Sequence, residues 1–464
     1  MKLPESLKLI SNIFAAQGVE LYLVGGFVRN IVLGIPGGDF DICSSVHPDI
    51  AAQIARDAGL TVIEKALSLG TIEIRMKMGG EWHAFEHTTW RKDYYPPGGE
   101  HRPYRVAFTT DIRQDAQRRD FSMNALYMHI ATEEIIDPTG RGLNSIKEKR
   151  LEAAADEADI TIQDDGLRIM RMARFASELG FGVSDELLSS AARHAAVLGD
   201  ISAERKFSEL KKIIMADTKY PSLPQTGPII GLKLLRQTGA IKYILPRLWK
   251  GSGVKQSPQY HAYDVLDHGL YTCSAAPAIW ELRLAGLLHD IGKPEALRQG
   301  GNMYGHEIIG ERLAREELSA LKSDNNTKNK VLPLIRQHMF DLEGKAKPKI
   351  IRRRAVMMGK EGFEMLIALR RADVAGSGKR VDKILSADHW QTELTRMIDQ
   401  HVPWRVKDLC ITGDDIARNL HIKPSPVIGQ ILEALYKECV VSPGMNNTET
   451  LIRRSRLLAQ SILK

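Results

Sequence analysis

The run "LYLVGGFVRNIVLGIPGGDFDI" (21–42) puts a double glycine, an arginine and two aspartates, Asp39 and Asp41, into one short stretch. Side chains alternate faces along a strand, so a strand over "DFDIC" is expected to hold both aspartates on one side. Two parallel carboxylates repel unless a cation lies between them. Their oxygens suit a hard ion such as Mg²⁺, which in phosphoryl transfer neutralises phosphate charge and activates an attacking hydroxyl. Gly25-Gly26 open a helix whose backbone N–H groups can meet a phosphate. Arg29, one turn in, adds a charged donor. A neighbouring strand is expected to give a third carboxylate, either Glu86 of "FEHTTW" or Glu73 of "TIEIRM". A DxD alone is a weak signal. Strand, double glycine, arginine-bearing helix and DxD strand in that order form a specific one.

The elements that must position these groups are legible around them. "ELYLV" (20–24) reads as a buried strand, "FVRNIVL" as a helix ending at Gly34, and "DIAAQIARDAG" as another helix. "TIEIRMKM" and "EWHAFEHTTWR" alternate as an antiparallel pair around Gly79-Gly80. "RKDYYPPGGEHRPYR" reads as a mobile loop. "DFSMNALYMHI" and "EEIIDPTGRG" close an α/β unit near residue 140. Beyond it the pattern is helical, with a linker-like stretch at "GSGVKQSPQYHAYD" (251–264) and a last helical segment from "LCITGDDIARNLHI".

At 464 residues the chain is long enough for several domains. A net charge of +7 fits a polyanionic partner. The four cysteines, Cys43, Cys273, Cys410 and Cys439, show no CxxC spacing, which argues against a disulfide framework or a zinc knuckle. The N-terminus reads as an amphipathic helix. No signal peptide and no membrane span are expected, and the cytoplasm is the expected location.

"LVGGFVRNIVLG…GDFDI" resembles the first motif of the class II tRNA nucleotidyltransferases, the CCA-adding enzymes, in the polymerase β-like superfamily. "RRDFSMNAL" (118–126) is similar to the second motif, "DPTGRGLNSIKEKRL" to the third, "DDGLRIMRMARFASELGF" (164–181) to the fourth and "SAERKFSELKKII" (202–214) to the fifth. The resemblance covers about the first 215 residues. It implies an α+β chain: a polymerase β-like nucleotidyltransferase head with a mixed sheet, then all-α neck, body, HD and tail regions. The expected boundaries are 1–145, 146–255, 256–400 and 401–464. The implied activity is addition of CCA to tRNA 3′ ends from CTP and ATP without a nucleic-acid template. By motif match Asp39 and Asp41 hold Mg²⁺, with Glu86 taken as the third carboxylate and Glu73 as its alternative. Gly25, Gly26 and Arg29 meet nucleotide phosphates; Arg119 and Asp120 hold the triphosphate and ribose, with Asn124 nearby. The chain departs from the pattern at Asn30, where an acidic residue is usual, at Asp164, where Glu is usual, and at Asn144, where Asp is expected.

In the fourth motif Asp165 and Arg168 are i and i+3, so on a continuous helix they share a face, and Arg171 and Arg174 extend a basic stripe. Cytosine and adenine both present an exocyclic amine beside a ring-nitrogen acceptor. A carboxylate only accepts and a guanidinium only donates. Asp165 and Arg168 can therefore satisfy C and A while mismatching G and U. Spacing alone also fits an ordinary surface ion pair.

"LRLAGLLHDIGKP" (282–294) has an adjacent His-Asp pair, with His268, His306, His338 and Asp373 around it. The order H…HD…H…H…D resembles the HD phosphohydrolase module. It implies a first metal site at His268, His289, Asp290 and Asp373, with His306 and His338 adding phosphate contacts or a second metal, and Lys293 meeting phosphate. Imidazole with carboxylate suits Mn²⁺, Ni²⁺ or Fe. Whether the module hydrolyses RNA ends or serves the fold stays open. "ERKFSELKKII" and "KPKIIRRRAVMMGK" are candidate tRNA contacts. The rival readings are a CC-only or A-only enzyme, a poly(A) polymerase and an HD hydrolase; the poly(A) branch's "GRRFR"-like signature is missing from "EKALSLGTIEIRM".

Overall fold

The computed structural model describes residues 3–96, 103–224, 226–380 and 384–462. The chain forms two compact units, Met1–Pro246 and Arg247–Lys464.

The first unit is built on a seven-stranded mixed sheet. Its strands are β1 (Tyr22–Val24), β2 (Asp41–Ser44), β3 (Thr61–Ala66), β4 (Thr71–Met78), β5 (Glu81–Thr89), β8 (Tyr127–His129) and β9 (Ile135–Ile136), while β6 (Arg91–Tyr94) and β7 (Arg105–Phe108) form a separate hairpin. The order across the sheet is β3-β4-β5-β2-β1-β8-β9, with β2 and β5 parallel and the other pairs antiparallel. Leu23, Val24, Ile42, Ile72 and Ile74 are buried on it. Gly79 and Gly80 both take positive φ, as a two-residue hairpin turn requires, and close β4 onto β5. The stretch expected as a loop pairs at its ends, Arg91 with Phe108 through Tyr94 with Arg105. Its centre, 97–102, lies outside the described residues. The alternating Lys92-Asp93-Tyr94 and Val106-Ala107-Phe108 could be read as strands only with their partners in view.

Two expectations about the site need correction. β2 begins at Asp41, so Asp39 lies before the strand. β1 has already ended at Val24, because Gly25 (φ 82°, ψ −138°) turns the chain into the helix Gly26–Leu33 and leaves no ladder for Asp39 to join. Phe40 packs on Phe27 and Phe85 at 4.6 and 6.3 Å, on the face opposite the Asp41–Glu86 pair, so extended alternation still carries Asp39 towards Asp41. Second, Asp165 and Arg168 do not share a helix. One helix ends at Asp164 and the next runs Leu167–Leu179, with Asp165 extended between them (φ −149°, ψ 103°). Gly166 fills the break where a Cβ would come within 2.5 Å of Val197.

The helix Leu167–Leu179 is buried along most of its length and packs against the helices Ala203–Ile214 and Pro228–Gln237. In the second unit, the helix Val265–Ala275 packs between Trp280–Leu288 and the long Pro348–Gly376, which is interrupted at Gly359 (φ 74°). C-terminal helices Gly413–Leu420, Pro426–Val441 and Thr448–Ile462 close on a core of Ile416, Ile431, Leu435 and Leu451. Among the described residues no helix is long and apolar enough to cross a membrane.

Candidate active site

In the first unit a cleft of about 600 Å³ opens over the Gly25 turn. Gly25, Gly26, Arg29, Asp41, Arg119, Asp120, Asn124, Asp165, Arg168, Arg171 and Arg174 all line it, so eleven of the residues singled out from the sequence converge. A Cβ on Gly25 would sit 3.7 Å from Asp41 Oδ2, so the turn backbone runs beside the carboxylate. Asp41 pairs in register with Glu86 on β5, and Glu86 with Glu73 on β4. Asp41 keeps an exposed edge, but the protein packed behind it desolvates the carboxyl and raises its pKa, as do the like charges of Glu86 and Asp39, against the pull of Arg119. Unbalanced negative charge of this kind fits a hard divalent cation. Glu73 stands one strand further from Asp41; Lys65 bridges it (2.6 Å) to Glu86 (3.2 Å), Arg75 also pairs with it, and Lys65 and Arg75 lower its pKa. Glu86 is thus the acid next to Asp41.

The cationic side of the cleft is tied down. Arg29 is buried, which lowers its pKa, and it donates to Asn30, to Asn124 (2.8 Å) and to the hydroxyl of Tyr220 (3.0 Å). Asn30 thereby orients Arg29, so the departure from an acidic residue keeps an acceptor there and leaves Glu178 and Asp120 as the carboxylates that act on the guanidinium. Asn124 donates in turn to Asp120, whose other oxygen takes Arg171 at 2.8 Å. Burial opposes the charge on Asp120, but Arg171 and Asn124 outweigh it and hold its carboxyl far below the usual range. Asp115, 1% exposed, accepts from Arg118 (2.8 Å), Arg119 (2.9 Å) and the Tyr127 hydroxyl (2.5 Å). Burial works against the Arg119 charge, yet Tyr127 and Asp115 keep its pKa raised. Arg174 meets Glu209 at 3.0 Å and stacks over Phe175 at 4.3 Å. Asp165 bonds Arg205 at 3.0 Å, and Arg168 donates to the Thr161 and Arg118 carbonyls at 3.0 and 2.6 Å. Arg118 and Arg205 fall within the second and fifth motifs without having been singled out for the cleft, and Asp115 and Tyr220 were not foreseen; Tyr220 lies 191 positions from Arg29 in a stretch without a motif.

The second unit gathers all six histidine-cluster residues. Two groups have ligand atoms within 4.8 Å of one another: His268, His289 and Asp373, and Asp290, His306 and His338. The ring Nδ1 atoms of His289, His306 and His338 meet the Gly286, Met303 and Ile335 carbonyls at 2.7–2.8 Å, and His268 Nδ1 lies 3.2 Å from Gly376 O. Such anchoring leaves each Nε2 as the inward lone pair. His268 and His289 then face each other Nε2 to Nε2 at 3.2 Å, and His306 and His338 at 3.0 Å. Asp290 is shared rather than part of the first group alone: Oδ2 lies 3.2 Å from His289, Oδ1 3.1 Å from His306. Its Oδ1 is buried without a hydrogen-bond partner, which a cation would satisfy. Lys293 is itself buried and bonds Asp290 (2.6 Å) and Gln256 (2.7 Å).

Three family models match: a poly A polymerase head domain over residues 21–152, a probable RNA and SrmB-binding site of polymerase A over 180–251, and an HD domain over 260–375. A CCA-adding enzyme of Lactiplantibacillus plantarum is 26% identical over 460 residues, covering 98% of this chain and 97% of the relative. The likeness to that CCA-adding enzyme thus runs through nearly the whole of both chains. Other relatives match more strongly over less. The CCA-adding enzyme of Geobacillus thermodenitrificans is 34% identical over 248 residues, 53% of this chain and 55% of that one, so the chain spans about half the length of several curated relatives. Among solved structures, the Bacillus stearothermophilus CCA-adding enzyme in complex with CTP superposes with a TM-score of 0.68 at 24% identity, over 100% of this chain and 99% of that one. The Thermotoga maritima CCA-adding enzyme complexed with tRNA gives 0.62 at 16% identity, over 99% and 95%. The mixed-sheet head followed by helices is thus a fold shared with these solved structures.

Proposed function

We propose that this protein adds or repairs CCA at tRNA 3′ ends from CTP and ATP, without a nucleic-acid template, in the cytoplasm. In this reading residues 1–145 are the catalytic head, 146–255 the neck and body, 256–400 the HD domain and 401–464 the tail. The observation that carries the reading is the convergence of Asp41, the Gly25 turn and the arginines of the second and fourth motifs on one cleft. Mg²⁺ held by Asp39, Asp41 and Glu86 would neutralise triphosphate charge and make the RNA 3′-hydroxyl more acidic. Gly25 and Gly26 let the backbone approach the triphosphate; Arg29 and Arg119, each fixed by buried partners, bind its oxygens. Asp120 locks Arg171, so the stripe cannot collapse onto the triphosphate site. Asp165 and Arg168 read the base edge, Asp165 accepting from the C or A amine. The order C, C, A is left to the growing RNA end and the β6–β7 hairpin. Of the basic runs, Arg352 is spent on Glu393 and two backbone carbonyls, whereas Arg353 is exposed for RNA.

Transcripts of tRNA ending before CCA, after C and after CC, each given CTP, ATP or both, test the reading. Full repair from every start is expected. A single-nucleotide product from one start would mark a CC-only or A-only enzyme, and long A tails a poly(A) polymerase.

The unpartnered Asp290 Oδ1 between two histidine groups favours a second activity. His268, His289 and Asp373 would hold one transition metal, His306 and His338 another, with Asp290 between them, for phosphoester hydrolysis at RNA ends. Phosphate release from 3′-phosphorylated ends, or ring opening of 2′,3′-cyclic ends to a phosphomonoester, under Mn²⁺ or Ni²⁺ and abolished by chelation, is the expected result.

A further inference from the structure

Hydrogen bonding at the floor of the head cleft forces a direction on Tyr220. The Arg29 guanidinium only donates, and it gives Nε and a terminal nitrogen to Asn30 Oδ1 at 3.1 and 2.8 Å. The Asn30 amide oxygen therefore faces Arg29. Its Nδ2 faces the Pro36 carbonyl at 2.9 Å, an acceptor only, which fixes the same orientation. That Nδ2 also lies 3.4 Å from the Tyr220 hydroxyl, and Arg29 donates to the same hydroxyl at 3.0 Å. A phenol oxygen has two lone pairs and one proton. Both lone pairs here face donors that cannot accept. Among the described residues no acceptor takes the Tyr220 proton. Tyr220 lines the cleft beside Lys219, so the proton is free to point into it.

We propose that Tyr220 is a further nucleotide-binding residue, its hydroxyl donating to a phosphate oxygen of the incoming nucleoside triphosphate. The inference rests on the nucleotide-cleft reading above. The phosphate is the partner because Arg29, which donates to the hydroxyl, and Lys219, 5.8 Å from the Tyr220 ring, are cations suited to an anion that only accepts; Glu178 in the same cleft acts on both of them. Asn30 sets the direction. A carboxylate at position 30 would offer the phenol an acceptor and turn its proton back into the protein.

Calorimetric titration of the full chain with CTP and with inorganic triphosphate, in Mg²⁺, tests this on wild type, Y220F, N30D and the double variant. Y220F is expected to weaken both ligands by the same factor, roughly tenfold for one lost hydrogen bond to a charged group. N30D is expected to weaken both as well, and the double variant to bind no worse than N30D alone. Unchanged CTP affinity in Y220F overturns the inference. Weaker CTP with unchanged triphosphate also overturns it, by moving the contact to ribose or base. Additive effects in the double variant overturn the forced direction. A wild-type chain that binds neither ligand brings down the nucleotide reading itself, which is a separate failure.

Discussion

In the function proposed above, the head cleft and the histidine centre both hold cations, and they would do it in opposite ways. In the second unit the ligand atoms are already gathered, six groups buried or nearly so, each imidazole aimed by a backbone carbonyl. In the head, Asp39 and Asp41 are exposed and only Asp41 of the two lines the cleft, while Arg29, Arg168 and Arg174 are buried in it and held by partners. A preassembled cage with imidazole ligands suits a resident metal. An open pair of carboxylates opposite fixed arginines suits an ion that arrives with a triphosphate. The difference teaches that burial has been spent where no substrate brings charge, and withheld where one does.

The comparison breaks most visibly at Asp41. Asp41→Asn is expected to lower nucleotide addition by at least about a thousandfold, the loss of several kcal/mol of metal-borne charge stabilisation. Phosphate release by the second unit should stay at the parent rate. A fall in both, measured on the same preparation, would mean that the two centres are not independent. The reverse experiment is Asp290→Ala. Because Asp290 faces both histidine groups, metal content by elemental analysis should fall by both equivalents rather than one, with CCA addition kept. Loss of a single equivalent would restrict Asp290 to one group.

The two centres also differed in how far the sequence revealed them. The order H…HD…H…H…D named all six residues that the fold gathers, because four histidines and two aspartates fall in the order of one known module, anchored by the adjacent His289-Asp290 pair. The sharing of Asp290 could not be read, since it depends on which way its two oxygens point. In the head, the glycine turn, the DxD and the arginines were legible as motifs. The start of β2 was not, because it depends on where β1 stops, at Gly25. The shared face assigned to Asp165 and Arg168 failed for a related reason: an unbroken helical pattern hides the break that Gly166 makes against Val197. Asp115 and Tyr220 stayed invisible because their importance lies in partners distant or motif-free in sequence.

The sheet register sharpens the head's side of the comparison. Glu86→Gln is expected to lower addition by about 10- to 100-fold, and Glu73→Gln by less than about twofold, since Glu86 is the register partner of Asp41 whereas Glu73 lies one strand further away and is held by Arg75 as well as by Lys65. Steady-state kcat for CTP addition separates them. Equal losses would mean that both acids serve the metal, or that neither does.

The smallest effect concerns Asp164, the Asp that stands where Glu is usual. Burial raises its pKa to about 6; Arg168 pulls it down, while Asp93 and Asp165 push it up. Between about pH 4 and 6 the folded chain keeps this proton and the unfolded chain has lost it. Stability contributed here therefore falls as pH rises through that window, and it stays at its lower value above it. The full shift corresponds to about 3 kcal/mol, which solvent screening at this half-buried position reduces to about 1 kcal/mol. Asp164→Asn, which cannot ionise, should be more stable than the parent by about that amount at pH 7, with the gap shrinking towards pH 4. Chemical unfolding of both proteins across this range measures the gap. A gap that does not change with pH would leave Asp164 an ordinary carboxylate, and one that grows towards acid would mean that Arg168, rather than burial, governs it.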